Sequence, residues 1–263
     1  MSDQAAKIKE GKEVVETRYS LGVSSAASID DFAVAKRRRQ ILEHIPLEGK
    51  TILDIGCGNG LYTLSFVDLA ERVIGIDIVE GQIAEARRNS ANCKGDAKFL
   101  VASAENLPFC NSSFDVVLAI EMLEHVNNEE QVLQEANRVL KNQGYLLIYV
   151  PNKLYPFDEH GITIGKRHFK GLYGSIPFLS WAPLSIRNRF ANARIYTRKQ
   201  IVRLVEKYGF TVQDVDYMYP PLDRLGSELT KGVLRKIMSV LEHNRLLKRF
   251  GMSIFIVARR GTK

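Results

Sequence analysis

The sequence predicts an α/β protein built on one doubly wound, mostly parallel sheet of seven strands. Seven short runs rich in aliphatic and β-branched residues alternate with helical patterns. The first five runs are apolar throughout and do not alternate with polar residues. Such strands are typical of a parallel sheet that helices cover on both faces. Right-handed crossovers between the strands then give the doubly wound topology.

The first half of the chain shows a regular rhythm of predicted strands and helices. An amphipathic helix is predicted at 128–140, because Val132, Leu133, Ala136 and Val139 fall on one face. The other helices of this half are predicted at 31–45, 61–70 and 79–93. Strands are predicted at 51–56, 72–78, 97–103, 113–121 and, after a turn at Gly144, 145–151. Ligands of such a sheet bind at the carboxyl ends of its strands.

This rhythm stops after Asn152. Residues 153–196 are rich in aromatic residues, Pro, Gly and Arg, and they predict a helical or irregular cap inserted after strand five. Regular patterns return with a helix at 197–210, which Thr197 caps, and a strand at 211–219. A long amphipathic helix or pair of helices at 223–250 and a final strand at 251–260 follow. The predicted organisation is an N-terminal helical segment (1–45), a ligand-binding core (46–152), a substrate cap (153–196) and the rest of the sheet with its helical insertion (197–263).

Composition places the chain among intracellular proteins with a packed core. It is 45% apolar and 25% charged. Its three cysteines, Cys57, Cys93 and Cys110, have no CxxC spacing, which predicts reduced thiols and a cytoplasmic location. No apolar run approaches the roughly 18 residues of a membrane span, and the N-terminus lacks the apolar stretch of a secretory signal.

Charge is distributed unevenly along the chain. Residues 1–151 hold 16 Lys/Arg and 22 Asp/Glu, whereas residues 152–263 hold 21 and 8. The basic half predicts an anionic partner, such as a phosphorylated substrate, a membrane surface or a nucleic acid, unless these charges only solubilise the protein. An apolar stretch at 171–190 includes Trp181 and is flanked by bases. It predicts peripheral membrane contact or a cover for an isoprenoid tail; a lid packed on its own core is the alternative.

The stretch "TILDIGCGNG" carries three glycines at alternate positions, Gly56, Gly58 and Gly60. The dinucleotide fingerprint is GxGxxG, whereas the spacing here is GxGxG. The carboxylate of Asp54 would repel a diphosphate, but it suits a cationic ligand such as S-adenosylmethionine (SAM). Further on, Asp77 ends the second strand, where a carboxylate binds ribose hydroxyls. A nicotinamide dinucleotide remains the alternative ligand.

The chain resembles the class I SAM-dependent methyltransferases in five successive motifs: "LDIGCGNG", "IGIDI", "SAENLPF", "SFDVVLAIEMLEHV" and "RVLKNQGYLLIYVPN". Within that family it looks most like the quinone-biosynthesis and type 11 subgroup. The resemblance implies a Rossmann-like fold and SAM as methyl donor. It implies cofactor contacts for Asp54, Gly56, Cys57, Gly58, Gly60, Asp77, Ile78, Ala104, Glu105 and Glu121, with Cys57 mainly a small filler.

Methyl transfer is an in-line displacement for which an enzyme chiefly positions its reactants. A hydroxyl nucleophile benefits from a base, and His125 is the first candidate, with His160 of the cap the second. A packing or capping role is the alternative for His125. The spacing ExxEH of Glu121, Glu124 and His125 would place three ligands for a divalent metal on one face, if the segment is a helix. It resembles the metal motif of some related methyltransferases, although metal-free relatives carry similar residues.

The functional prediction is O-methylation of a small-molecule, glycan or lipid-linked acceptor, such as a phosphorylated glycan precursor or a prenylated quinol. Methylation of RNA or protein is an alternative that the basic half favours. Nucleic acid is not the expected partner, because no RNA-binding motif is recognisable in the chain. A non-catalytic SAM-binding protein is the third alternative, although the intact glycine loop and Asp77 argue against it.

Overall fold

The computed structural model has strands and helices in the order that the sequence predicts. It describes residues 32–91, 93–157, 162–164, 167–169, 179–182, 193–219, 228–244 and 246–261. Its strands are β1 (Thr51–Ile55), β2 (Arg72–Asp77), β3 (Ala97–Val101), β4 (Phe114–Ile120), β5 (Leu140–Pro151), β6 (Ile162–Ile164), β7 (Arg167–Phe169), β8 (Phe210–Met218) and β9 (Ser253–Arg260). Its α-helices are α1 (Phe32–His44), α2 (Leu61–Leu64), α3 (Glu80–Ser90), α4 (Glu129–Val139), α5 (Arg198–Lys207) and α6 (Glu228–His243). Short 3₁₀ turns cover Leu179–Trp181 and Leu247–Phe250.

Seven of the strands form one sheet in the order β3-β2-β1-β4-β5-β9-β8. The first five strands are mutually parallel, and β9 runs antiparallel to both of its neighbours, β5 and β8. The chain therefore builds the sheet outward from β1, first toward β3 and then toward β8. This order confirms the predicted doubly wound sheet and puts its switch point between β1 and β4, where ligands of such sheets bind.

Apolar layers cover both faces of this sheet. Alternate residues of β1 point to opposite sides: Leu53 belongs to the layer under α4 and α5, and Ile52 to the layer under α1. Helix α4 buries Val132, Leu133, Ala136 and Val139 in the first layer, the face that the sequence predicts, and α1 buries Ile41 in the second. Burial on both sides explains why the central strands are apolar throughout.

Local hydrogen bonds decide where two helices begin or end. Helix α5 begins at a complete capping box, in which Thr197 and Gln200 bond each other's backbone N–H groups, as the sequence predicts for Thr197. The helix predicted at 61–70 is shorter in the structure: α2 ends at Leu64, and turns follow. The hydroxyl of Ser65 donates to the carbonyl of Tyr62 at 2.7 Å. Such a bond competes with helical backbone bonding.

Two insertions leave the sheet at its carboxyl edge. Ser253, the first residue of β9, pairs with Pro151 at the end of β5 and with Met218 at the end of β8. The segments 153–196 and 219–252 therefore both begin at this edge. The described part of the first contains the β6–β7 hairpin and a 3₁₀ turn. Outside the described residues lie 158–161, 165–166, 170–178 and 183–192 of the predicted cap, and residues 1–31 of the N-terminal segment. The domain boundaries stay predictions.

Among the described residues, no helix combines the length and the apolar character that a bilayer crossing needs. Of the apolar stretch 171–190, only residues 179–182 are described. Membrane contact through that stretch therefore stays a prediction.

Candidate functional site

The loop between β1 and α2 follows a path that only glycine adopts without strain. Gly56, Gly58 and Gly60 have φ angles of +71°, +53° and +82°, in the left-handed region. At Gly56 a side chain is also excluded by contact, because a Cβ atom would lie 2.7 Å from the Cβ of Met122. This glycine lets the end of β1 approach the residues that follow β4.

Asp77 is fixed against this loop by backbone hydrogen bonds. Its Oδ2 accepts the N–H of Gly58 at 2.9 Å, and its Oδ1 accepts the N–H of Val79 at 2.9 Å. The side chain is 2% exposed. Burial raises the pKa of its carboxyl, and the bonds from Val79 and Gly58 oppose that rise. The carboxylate is therefore held in one orientation before any ligand arrives.

A cleft of about 540 Å³, its open mouth included, lies at the carboxyl ends of β1, β2, β3 and β4. Gly56 and Asp77 line it from the ends of β1 and β2, and Met122 and His125 line it from the turn after β4. The complete lining is Gly56, Asp77, Ile78, Ala102, Ser103, Ala104, Glu105, Met122, His125, Val126 and Asn127. The cleft therefore combines two carboxyl groups, those of Asp77 and Glu105, and one imidazole with a largely apolar wall.

Six residues that the sequence analysis assigns to cofactor or catalysis line this cleft together. They are Gly56, Asp77, Ile78, Ala104, Glu105 and His125. Glu105 is held by its Oε1, which accepts the N–H of Asn128 at 2.8 Å. Met122 and Asn127 also line the cleft, and the sequence analysis missed both. Met122 packs beside Gly56, and no feature of the sequence indicates this position.

Asp54 lies beneath the loop and does not line the cleft. The hydroxyl of Thr63 donates to its Oδ2 at 2.6 Å, and the side chain is 1% exposed. Burial raises the pKa of Asp54 to about 7. The negative charge that the sequence analysis assigned to Asp54 is thus supplied at the cleft by Asp77. The contact of Asp54 with a cofactor stays a prediction.

The other loop residues assigned to the cofactor also face away from the cleft lining. Cys57 packs with Ile83 and Phe99, and burial raises the pKa of its thiol, which fits the role of a small filler. A Cβ on Gly60 would lie 2.8 Å from the ring of Phe99. Gly60 therefore allows the loop to pack on β3, while Gly58 contributes its N–H to Asp77.

The segment with the spacing ExxEH is a turn, and the helix assumed for it is wrong. Strand β4 ends at Ile120, and Glu121 has a φ of +50°, which no α-helix contains. Its Oε1 accepts from Arg37 at 2.8 Å and from the hydroxyl of Ser253. Among the residues that the structure describes, no three His, Cys, Asp or Glu side chains are arranged to hold a metal ion. Glu121 is absent from the cleft lining.

Arg37 is the central residue of this second polar cluster, and the sequence analysis missed it. Its guanidinium is 7% exposed, pairs with Glu121 and donates to the hydroxyl of Tyr62. It lies 5.5 Å and 5.4 Å from the ring centroids of Tyr62 and Tyr149. Burial alone would lower the pKa of Arg37, but Tyr62 and Glu121 together raise it. The sequence did carry a signal for the burial of Arg37, because Arg37 lies on the same helical face as the buried Val34 and Ile41 of α1.

Glu124 interacts electrostatically with this polar cluster and also lies close to His125. Its side chain is 1% exposed, and burial, reinforced by Glu121, raises the pKa of its carboxyl well above the usual range. Its Oε1 lies 3.8 Å from Nε2 of His125. The backbone N–H of His125 donates to the carbonyl of Met122, which fixes the turn. His160, the second candidate base, lies outside the described residues.

The cleft fits the chemical parts of SAM. The backbone of Gly56 lines the cleft without a side chain, and Asp77 offers acceptors to ribose hydroxyls. Ile78, Ala102 and Ala104 provide apolar contact for a flat ring. A sulfonium beside a carboxylate is also electrostatically favourable.

Comparisons with known proteins identify the family. Residues 53–148 match the model of a family described as a methyltransferase domain. The ubiquinone biosynthesis O-methyltransferase of Pelagibacter ubique is 32% identical over 173 residues, which are 66% of this chain and 66% of that protein. The sterol 4-C-methyltransferase strm-1 of Caenorhabditis elegans is 32% identical over 123 residues, which are 46% of this chain and 36% of that protein.

Solved structures with the same fold include both methyltransferases and another enzyme. A SAM-dependent methyltransferase from Mesorhizobium loti superposes with a TM-score of 0.60 at 18% identity, covering 89% of this chain and 100% of that one. The [4+2]-cyclase SpnF gives a TM-score of 0.60 at 19% identity, covering 92% and 85%. The fold alone thus does not fix the reaction. The family model, the relatives and the glycine-loop cleft together show that the chain belongs to the class I SAM-dependent methyltransferase family, with its Rossmann-like fold.

Proposed function

We propose that this methyltransferase methylates a hydroxyl oxygen of a lipid-linked acceptor, with a prenylated phenol as the leading class. The observation that carries the proposal is that Asp77 and His125 line one cleft. A residue that can hold the donor and a residue that can accept a proton thus face the same space. This is the arrangement that methyl transfer to a hydroxyl requires.

Each cleft residue has a defined task in this reaction. SAM supplies a methyl group already activated on a sulfonium. Asp77 binds the ribose of the donor, and the glycine loop allows close approach of the donor to the backbone. The imidazole of His125 accepts the proton of the acceptor hydroxyl as the oxygen–methyl bond forms and the sulfur–methyl bond of the donor breaks. The sulfonium thereby becomes the uncharged thioether of S-adenosylhomocysteine, which is the leaving group. Oε1 of Glu124 lies 3.8 Å from Nε2 of His125, and a positive charge on the imidazole would favour ionisation of this carboxyl.

Two further observations support a lipid-linked acceptor. The names of both relatives concern lipids, since one acts in ubiquinone biosynthesis and the other on a sterol. The insertions at 153–196 and 219–252 begin at the carboxyl edge of the sheet, where the cleft also lies, and they carry exposed apolar side chains such as Trp181 and Phe250. A phosphorylated glycan precursor is the second candidate, because the same insertions are rich in Lys and Arg.

The acceptor class is tested with isotopically labelled SAM and a panel of purified acceptors. The panel contains a catechol, the same catechol with an isoprenoid tail, an isoprenoid-phosphate glycan, RNA and a protein extract. We expect the label on an oxygen of the tailed catechol, with less on the tail-free compound. Label on carbon, or preferred labelling of RNA or protein, would contradict the proposal. Saturable SAM binding with no labelled product would indicate a non-catalytic protein, and a titration with NAD controls for a dinucleotide ligand.

The base is tested by His125→Gln, which keeps a polar side chain of similar size. General-base catalysis contributes about 100- to 10,000-fold, so we expect turnover to fall by roughly that factor while SAM affinity stays within about twofold. Asn127→Ala, a change on the same cleft wall, is the matched control and should lower turnover much less. Equal losses of affinity and turnover in His125→Gln would assign His125 a structural role.

A further inference from the structure

We propose that the two insertions form an apolar rim that docks the protein on an anionic membrane surface. We define the rim as the exposed apolar residues of the segments 153–196 and 219–252. Its members are Leu154, Phe157, Trp181, Val233, Ile237, Val240, Leu246, Leu247 and Phe250. Membrane docking does not depend on which acceptor is methylated.

The exposed apolar surface of the protein is concentrated in these insertions. Eleven large apolar side chains are exposed among the described residues, and nine of them belong to the rim. The other two, Leu100 and Val101, lie on β3 at the far edge of the sheet. Val240 is 63% exposed and Leu246 is 69% exposed. Scattered single residues need no explanation, but a concentration in one place marks an interaction surface.

Hydrogen bonds hold the two parts of the rim next to each other. The amide nitrogen of Asn152 donates to the carbonyls of Arg249 and Gly251 at 2.8 Å and 2.7 Å. Its Oδ1 accepts the N–H of Leu154, whose carbonyl in turn accepts the indole N–H of Trp181 at 3.0 Å. Asn152 follows the end of β5, so the rim lies at the edge of the sheet that also contains the cleft.

Helix α6 presents one apolar stripe outward. Val233, Ile237 and Val240 are spaced i, i+4 and i+7, which puts them on one face of the helix. The C-terminal end of the helix is attached by a polar contact, in which Glu242 pairs with Lys36 of α1. The hydroxyl of Tyr219 also donates to the carbonyl of Leu247. The stripe is thus exposed while the end of the helix is anchored to the body of the protein.

The net charge of the two insertions favours an anionic bilayer as the partner that binds the rim. The two insertions contain 14 Lys/Arg and five Asp/Glu, a net charge of +9, whereas the whole chain has +7. The rest of the protein is therefore slightly negative. Exposed Lys236 and Arg249 lie among the rim residues in the chain. Apolar side chains that enter the headgroup region, with bases beside them, are the features of an interfacial membrane-binding surface. A second copy of the chain is disfavoured as the partner, because the insertions have a net charge of +9 in each copy and would repel each other.

Vesicle flotation tests the proposal without SAM or acceptor, so its result is separate from that of the methylation assay. We expect the protein to float with vesicles of phosphatidylcholine plus phosphatidylglycerol, and much less with phosphatidylcholine alone. Added salt should weaken binding, because the charged contribution is screened. The double variant Ile237→Gln/Val240→Gln should bind at least about tenfold more weakly. The double variant Lys236→Gln/Arg249→Gln should lose preference for anionic vesicles.

The matched control is Leu100→Gln/Val101→Gln, which makes the same kind of change at the two exposed apolar residues outside the rim. It should float like the unaltered protein. Circular dichroism should show that all three double variants remain folded. Flotation that is equal for the rim and control variants, or absent with anionic vesicles, would overturn the proposal. A dimer that light scattering detects and that Ile237→Gln/Val240→Gln abolishes, without flotation, would assign the rim to a second copy.

Discussion

Asp77 and Glu121 are two acids at the same edge of the sheet, yet they have different surroundings. Asp77 ends β2 and Glu121 follows β4, and both strands flank β1. Asp77 is held by backbone N–H groups 2 and 19 residues away and lines the cleft. Glu121 is held by Arg37 and Ser253, which are 84 and 132 residues away. Backbone fixation leaves the carboxylate of Asp77 at the cleft, whereas a guanidinium and a hydroxyl engage Glu121 away from it.

The difference shows that a carboxylate at the end of a parallel strand is not by itself a ligand-binding group. The partners of Asp77 come from the adjacent loop, so the site around it is local. The partners of Glu121 come from α1 and β9, so its task is to join distant elements across the sheet. Substitutions on the two sides should therefore affect different quantities: ligand affinity at Asp77 and the free energy of unfolding at Arg37 and Glu121.

The largest expected effect is that of Arg37→Met on stability. Removing the guanidinium leaves Glu121 and the buried Glu124 without this cation, and breaking a buried ion pair costs about 3–5 kcal/mol. Urea unfolding measures the change. Arg39→Met is the matched control on the same helix: Arg39 is exposed and lies 3.9 Å from Glu43, so its loss should cost less than about 1 kcal/mol. Equal costs for the two variants would remove the distinction between the two acids.

Alanine substitutions at two loop glycines separate backbone strain from close contact. Gly56→Ala and Gly58→Ala both place alanine at positive φ, which costs about 1–2 kcal/mol. Only Gly56→Ala also brings a Cβ to 2.7 Å from Met122, since the nearest atom at Gly58 is 3.8 Å away. We expect an additional cost of about 1–3 kcal/mol for Gly56→Ala, and a larger loss of SAM affinity. Thermal unfolding and calorimetry measure both, and identical results for the two variants would contradict the proposed contact.

Asp77→Ala tests the cleft side of the comparison directly. We expect SAM binding to weaken by about 1–3 kcal/mol, through lost hydrogen bonds to the charged carboxylate. Asp115→Ala is the matched control, because Asp115 also accepts a backbone N–H, that of Thr51, but at the start of β4. It should lower stability and leave SAM affinity unchanged. Unchanged SAM affinity in Asp77→Ala would contradict the placement of the ribose.

The smallest expected effect concerns the pH dependence of stability at Asp54. Its folded pKa of about 7 lies above the usual value of about 4 for Asp, so the native state binds the proton more tightly than the unfolded state. Stability should therefore fall as pH rises from about 4 toward 7. Asp54→Asn keeps an acceptor for Thr63 and cannot titrate. Between about pH 5 and pH 6 the unaltered protein should lose about 1 kcal/mol relative to this variant, as measured by urea unfolding. A difference in stability between the two proteins that does not change with pH would indicate that Asp54 is ionised over this whole pH range.

Predictions from the sequence succeeded where the physical cause is local. The order of the strands follows from the apolar runs, and the start of α5 follows from the predicted cap at Thr197. The position of Asp77 beside the loop also follows, because a parallel neighbour of β1 must end at the same edge. The proposed roles of these residues toward SAM await the binding measurements.

Predictions failed where a contact joins distant parts of the chain. The burial of Arg37 depends on Glu121 and Tyr62, and nothing within one turn of α1 specifies these partners. The spacing ExxEH indicates a shared helical face, but Glu121 adopts positive φ and turns toward Ser253. Asp54 does not line the cleft, because it is buried and bonded to the hydroxyl of Thr63, and its contact with a cofactor stays a prediction.

The pairing of Ser253 with both Pro151 and Met218 has a consequence for how such a protein can diverge. Each insertion starts and finishes at one row of the sheet, so its length can change without shifting the alignment of the central strands. On the proposal that the insertions contact the acceptor, acceptor choice can evolve separately from donor binding, and exchanging either insertion between related proteins should alter selectivity.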